Sequence, residues 1–308
     1  MLRTVRHVRW PRRIGGFAAA ALMAWGWTTN EVHDPLGQVS REDFNLQGDV
    51  AIVVVKQSGV VLTLTGPVEG RAVVTETMSF GEDGLLREWV QHAPTDGLAL
   101  AHRYTYKDRI LFEVASYHPG GGVYEIVSYS RSDDGRTTTA KIVAGPRNVR
   151  KRIVYERDVD ESLLSVVETN AAGVGVSEVR YTRTGNEERA DRYDGEGELL
   201  SWSIKRFDAN GRVMESSLHT VGGDDEPYTI SYEYDDRGNL ALEETSGELS
   251  LGFIVFTLTP SETKTSYEYT YDEHGNWIER VTSVWATDGE EGEWRETAKT
   301  LREITYYE

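Results

Sequence analysis

The sequence predicts an all-β protein, a long antiparallel meander of hairpins that curls into an open barrel or half-pipe sheet. Three observations carry this. A seven-residue phrase recurs five times, with an aromatic first, a glycine four residues later and an apolar residue six later: Phe80–Leu86, Tyr193–Leu199, Phe207–Val213, Tyr234–Leu240 and Tyr271–Trp277. The flanks alternate with the two-residue period of strands, as where Tyr232 and Tyr234 share one face and Glu233 and Asp235 the other. Beyond the N-terminal segment, no window of about 11 residues carries the period of an amphipathic helix.

The phrase has a hairpin's physical logic. In four copies the second residue is Asp (Asp194, Asp208, Asp235, Asp272), and three residues on stands Gly197, Gly211, Gly238 or Gly275. The carboxylate accepts a hydrogen bond from a backbone N–H two residues ahead, and the glycine takes positive φ without a Cβ clash. This suits a three-residue loop, a type I turn closed by a left-handed residue in a G1 bulge. The count sets Tyr234 opposite Leu240, Tyr271 opposite Trp277, Phe207 opposite Val213, Tyr193 opposite Leu199 and Phe80 opposite Leu86. Each such cross-strand pair contributes about 0.2–1 kcal/mol.

Taken in order, residues 1–26 read as a signal peptide: five arginines within positions 3–13, then an apolar run too short to span a bilayer. Small residues at Ala24 and Gly26 place cleavage after Gly26. Residues 27–44, polar and mixed with Pro35 and Gly37, read as a linker, and 45–308 as a single antiparallel domain. Val50–Lys56 and Gly59–Thr65 are β-branched runs separated by Gln57-Ser58. Further strand pairs flank Lys107-Asp108-Arg109 (a short turn without glycine), the 119–122 loop, Asp133-Asp134-Gly135, an acidic turn near 160 and Gly185-Asn186. The most apolar run in the body, Leu251–Leu258, reads as a buried strand. About 14–18 strands result, too many to lie flat in an open sheet, so the sheet twists and curls.

The pattern Tyr-x-Tyr-Asp-x-x-Gly-Asn at 232–239, echoed at Tyr271–Asn276, resembles the YD repeat of Rhs-type bacterial proteins. The opening Phe44–Val50 and closing Arg302–Tyr307 look like the ends of short stand-alone members of that group. The resemblance implies a curled β shell able to enclose cargo, and an association with carbohydrate. The repeat aromatics at 193, 207, 234 and 271 are 14, 27 and 37 residues apart, which departs from a fixed-period array.

Composition narrows the function classes. The chain carries a net charge of −18; without residues 1–26 it has 28 basic and 51 acidic side chains, a net −23. Phosphate is repelled by such a surface, which argues against nucleic acid and anionic lipid as partners. With no cysteine, disulfides, thiolate nucleophiles, Cys-ligated zinc and a lipoprotein anchor are excluded. No strained G-x-S-x-G elbow is present. The histidines at 33, 92, 102, 118, 219 and 274 lack metal-ligand spacing, although His102 and His118 bound one predicted hairpin. His274 reads as a solvated turn residue. Carboxylates are so many that a chance pair carries no specificity for glycoside hydrolysis. The expectation is no catalytic residue, no metal site and no cofactor.

The aromatics of the last third are the remaining lead. Tyr232, Tyr234, Tyr269, Tyr271, Trp277 and Trp285 are candidate ligand-facing rings, suited to stacking on sugars; they also suffice as the apolar face of a sheet. The expected function is an exported, periplasmic or extracellular, non-catalytic β-repeat protein of the cell envelope, a binding or structural module for polysaccharide or envelope glycan. No transmembrane span is expected in the mature chain. One alternative is an accessory or remnant of an Rhs-like toxin shell contacting a protein partner. Another is a glycan hydrolase using paired carboxylates.

Overall fold

A computed structural model describes residues 39–63, 66–93, 98–144, 148–222, 227–247, 263–288 and 291–308. The signal peptide expected over 1–26 and the apolar strand expected over 251–258 lie outside the described residues. Nineteen strands are formed among the described ones. The first six are β1 (Val50–Thr63), β2 (Gly66–Glu69), β3 (Val73–Phe80), β4 (Leu86–His92), β5 (Leu98–Lys107) and β6 (Ile110–Tyr117). Next come β7 (Val123–Arg131), β8 (Thr137–Ala144), β9 (Asn148–Arg157), β10 (Leu163–Asn170), β11 (Gly175–Thr184), β12 (Glu187–Asp194) and β13 (Leu199–Phe207). The last are β14 (Val213–Thr220), β15 (Tyr228–Tyr234), β16 (Leu240–Ser246), β17 (Thr263–Tyr271), β18 (Trp277–Asp288) and β19 (Glu291–Tyr306).

The all-β antiparallel meander is present, and its curl runs to completion. From β3 to β19 each strand pairs with the next, and β1 pairs with both β3 and β19. Eighteen strands thus form a closed barrel, with β2 paired to β1 outside the ring. Closure removes the two unpaired edges that a half-pipe would expose. The expected break at Gln57-Ser58 is absent: Gln57 pairs with Thr300, and buried Ser58 donates its hydroxyl to Glu69, so β1 runs on.

All five repeat phrases adopt the predicted register. Tyr234 faces Leu240, Tyr271 faces Trp277, Phe207 faces Val213, Tyr193 faces Leu199 and Phe80 faces Leu86, each beside a register shift. Asp235 Oδ1 accepts from the N–H of Arg237 and of Asn239, and Gly238 sits at φ 84°. Asp194, Asp208 and Asp272 cap their turns in the same way, before Gly197, Gly211 and Gly275. Because successive hairpin turns alternate ends, the Asp194 turn lies at the end of the barrel opposite the Asp208, Asp235 and Asp272 turns. The glycine-free turn differs: Asp108 and Arg109 are both left-handed, at φ 52° and 66°, in a two-residue loop.

The linker assignment is corrected at its C-terminal end. Residues 39–49 are a docked cap at the Asp235–Asp272 end, not a linker. Val39 and Leu46 are buried, Phe44 packs edge-on against Phe80, and a 3₁₀ turn (Glu42–Phe44) ends at left-handed Asn45. Val39 C=O accepts from Leu86 N–H, and Arg41 N–H donates to Gly84 C=O. The Arg41 guanidinium reaches Gly48 C=O, Asp49 and Gly81 C=O. Apolar Val39, Phe44 and Leu46 dock because the barrel end offers Phe80, Leu85 and Leu86 to cover.

Candidate functional site

The Tyr-Asp-Asn part of the repeat ties each hairpin to its neighbour. The Tyr271 hydroxyl donates to Asp235 Oδ2 at 2.6 Å and accepts from Asn239 Nδ2 at 2.7 Å. One repeat later, the Tyr306 hydroxyl donates to Asp272 and accepts from Asn276 Nδ2. Where Arg212 replaces the asparagine it claims Asp208 itself, and Tyr234 donates to Val213 C=O instead. Both asparagines also hold the cap. Asn45 Nδ2 donates to Asn239 Oδ1, while Asn276 accepts from Gln47 N–H and donates to Gln47 C=O. Burial pushes the Asp235 and Asp272 carboxyls up, but the Tyr271 or Tyr306 hydroxyl and the turn N–H groups outweigh it, and both end below the usual carboxylate range. The rim is a structural device.

Directly paired residues share a face, so the registers trace two faces around the ring. One carries buried Val53, Met78, Tyr104, Tyr129, Ala140, Ile142, Ile153 and Tyr155, and is the inner face. The other carries directly opposed ion pairs: Arg103–Glu88, Arg206 between Glu187 and Glu215, and Lys264–Glu244. Lys56–Glu303 and Lys299–Glu279 continue it.

On the inner face of β15 to β19, β1 and β3 lies the candidate site. Tyr269 pairs with Arg280, Arg280 with Thr300, and Arg302, two residues on, with Val55, which pairs with Glu76. The Arg302 guanidinium lies over the Trp277 ring at 3.5 Å, and Arg280 is 5.3 Å from the Tyr267 ring and 5.7 Å from that of Trp277. Such stacking fixes both charged heads against the wall. Burial lowers Arg302 to about 9, aided by like-charged Arg280 and opposed by Glu76. Burial raises Glu76, while Trp89, Arg302 and Arg280 act the other way. Farther along, Tyr232 pairs with Glu243, which burial raises.

The six candidate aromatics divide. Tyr232, Tyr269 and Trp277 lie on the inner face; Trp277 is 8% exposed and its ring already carries Arg302. Tyr269 packs on Trp277 and donates to Leu240 C=O, bridging strands that part beyond Leu242. Tyr234 and Tyr271 belong to the rim, under Arg212 and Arg237. Trp285 lies on the outer face, edge-to-face with half-exposed Trp294 at 5.3 Å. The histidines do not converge: His102 bonds Ser116, His118 packs on Tyr124, and exposed His274 stacks on Tyr306 at 4.0 Å. Among the described residues no three His, Asp or Glu side chains are placed to hold a metal ion. Arg280, Arg302 and Glu76 were missed in the sequence. The available signal was their place in the alternation: Arg302 follows Ala298 and Thr300 at two-residue steps.

A second concavity, about 400 Å³, opens where β14 and β15 splay. Phe207, Met214, Tyr232 and Leu242 line it beside Glu215, Glu233 and Glu244. Arg206 and Lys264 occupy two of those three carboxylates.

The inner-face tyrosines give a measurable signature. Burial pushes Tyr129 and Tyr267 up to about 12, and Tyr104 and Tyr232 higher still. A folded pKa above the unfolded value of about 10 gives stability that is whole below pH 10 and drains as pH rises toward 12. A spectrophotometric titration should show a class of tyrosines ionising more than one pH unit later than in urea, with unfolding in the same range. All 16 tyrosines titrating together near pH 10 in folded protein would refute the placement.

Fold and site define a closed antiparallel β-barrel with an aromatic and arginine-bearing inner wall. No protein-family model matches the chain, and no curated protein does. Among solved structures it is similar to a porin-like protein from Bacteroides uniformis, with 13% identity over 84% of this chain and 99% of that one, at a TM-score of 0.41. It is also similar to TcdB2-TccC3, with 11% identity over 73% of this chain and 14% of that one, at 0.34. A third is a protein of unknown function from Bacteroides fragilis, with 14% identity over 50% of this chain and 95% of that one, at 0.22. Likenesses of this size assign no family.

Proposed function

We propose that this is an exported, non-catalytic β-barrel of the cell envelope whose inner wall binds a glycan. The observation that carries the reading is the inner-face group of Tyr232, Tyr267, Tyr269, Arg280 and Arg302. Rigid aromatic rings beside fixed polar donors are the composition with which proteins hold sugar rings and their hydroxyls. The association of YD repeats with carbohydrate, implied by the sequence resemblance, points the same way.

Two features support the non-catalytic clause. The inner-face carboxyls raised by burial, Glu76 in β3 and Glu243 in β16, are five strand steps apart, roughly 24 Å along the wall at ~4.8 Å per strand. Glycoside hydrolysis uses carboxyls about 5–9.5 Å apart. In the concavity beside β14 and β15, ion pairs already engage Glu215 and Glu244.

The outer face argues that the barrel sits beside the membrane and does not cross it. A lipid-facing belt needs apolar side chains, and a lysine or arginine at its midplane costs about 2–4 kcal/mol; Arg103 stands mid-strand on the outer face, paired with Glu88. Among the described residues no helix is long and apolar enough to cross a membrane. The rival reading, an accessory of a toxin shell that docks a protein partner, has less support, since among the described strands only the four-residue β2 keeps an open edge for strand addition.

A glycan array probed with the purified protein tests the ligand. Binding to a defined class of saccharide, weakened by Arg302→Met and Tyr269→Ala, is expected. No signal from any polysaccharide, with circular dichroism showing an intact β fold, would remove glycan from the reading.

A further inference from the structure

We propose that the inner wall recognises an anionic group, the carboxylate or sulfate of a short acidic saccharide, held by Arg280 and Arg302; this rests on the glycan reading above. Two guanidiniums, Arg280 and Arg302, share this patch of wall, where Glu76 is the acid that acts on both, and Glu243 lies two strands from Arg280 beside Tyr232. Buried charge is normally matched, because desolvation is costly and an opposite charge offsets it. Around buried Arg41 that rule is kept by Asp49 and two carbonyls, with its Nε alone left unpartnered among the described residues.

Here it is not. Arg302 Nε and Nη1 and Arg280 Nε are buried with no hydrogen-bond acceptor among the described residues. Arg280 Nη2 has only the Thr300 hydroxyl, at 3.5 Å, besides its contact with Tyr269. A guanidinium offers five N–H donors in a planar fork, the geometry that takes a carboxylate or sulfate by two parallel bonds. Stacking on Trp277 and Tyr267 holds both forks in place before any ligand arrives. Tyr232, Tyr267 and Tyr269 on the same face supply rings for the sugar body.

Ligand size follows from the rest of the chain. With a net charge of −18, the surface repels long polyanions, while a single acidic unit within reach of two arginines gains more than it loses across a screening length of about 8 Å. A short, singly charged saccharide fits this balance, and a polyanion does not.

Calorimetry on the full chain tests it. The probes are uronic-acid, sialic-acid and sulfated oligosaccharides, each beside its neutral counterpart, with inorganic sulfate alone as a further arm. At least one acidic sugar is expected to bind 10-fold or more tighter than its neutral partner. Arg302→Met should erase that preference while leaving the melting temperature of the free protein unchanged or higher, since it removes an unmatched charge; a merely structural arginine would lower it. Arg280→Gln is the second variant should the first fail to fold. Equal binding of acidic and neutral sugars would overturn the anion site and leave glycan binding standing. Response to sulfate alone, with every sugar silent, would overturn the saccharide and with it the glycan reading.

Discussion

Replacing Asn276 by Ala is expected to lower the melting temperature by roughly 6–10 °C, from a loss of about 3 kcal/mol. The side chain is fully buried and joins three parts of the barrel end. Its oxygen accepts from Gln47 N–H at 2.6 Å, and its nitrogen donates to Gln47 C=O at 2.9 Å and to Tyr306 at 2.7 Å. Alanine leaves a backbone N–H and a carbonyl of the cap without partners where water enters poorly, and each such group costs about 1–3 kcal/mol. The neighbouring repeat provides the control. Asn239 bonds a side chain of the cap, Asn45, and not its backbone, so Asn239→Ala should cost about half as much. Thermal unfolding of the two variants measures the difference. Equal and small losses would show that the cap does not depend on these asparagines. Hydrogen exchange at Gln47 should accelerate in Asn276→Ala alone.

Trp277→Ala carries the second large effect, about 3–5 kcal/mol in a denaturant titration. The indole is 8% exposed, faces Tyr271 across the strands, packs on Tyr269 and lies beneath Arg302. Its removal opens a cavity and leaves a desolvated guanidinium without the ring that holds it. Trp277→Phe keeps a smaller aromatic face and should recover more than half of the loss. Should alanine cost less than about 1 kcal/mol, the indole would be a surface ring and the inner-wall site would lose its base.

Much of the fold was legible because the information is local. A glycine free to take positive φ, joined in four of the five copies by an Asp that caps its own turn, fixes a hairpin within seven residues. All five cross-strand pairs, from Phe80–Leu86 to Tyr271–Trp277, therefore follow from counting. Closure was not legible, since it depends on Val53 meeting Ile304 and Lys56 meeting Leu301, and no local signal connects segments so far apart. The cap escaped for a related reason: Val39, Phe44 and Leu46 are too few to show a period, and their burial depends on Phe80 and Leu86. Of the six candidate aromatics, Tyr232, Tyr269 and Trp277 share the inner face. Trp285 fell on the other side because a register shift near Trp277 resets the alternation. Arg280 and Arg302 were not singled out as site residues, since only the ring's curvature turns their side inward.

The pairing of β1 with β19 also bears on how the chain reaches its native state. Every other seam of the ring joins strands close in sequence, β1 and β3 with only β2 between them, and forms with little loss of chain entropy. This one brings together segments more than two hundred residues apart, and such contacts form late and slowly. Until Tyr306 has emerged and found Val50, the nascent protein is a ribbon with two bare margins, open to capture by another copy of itself. Its most hazardous moment is therefore the interval just before its last strand docks.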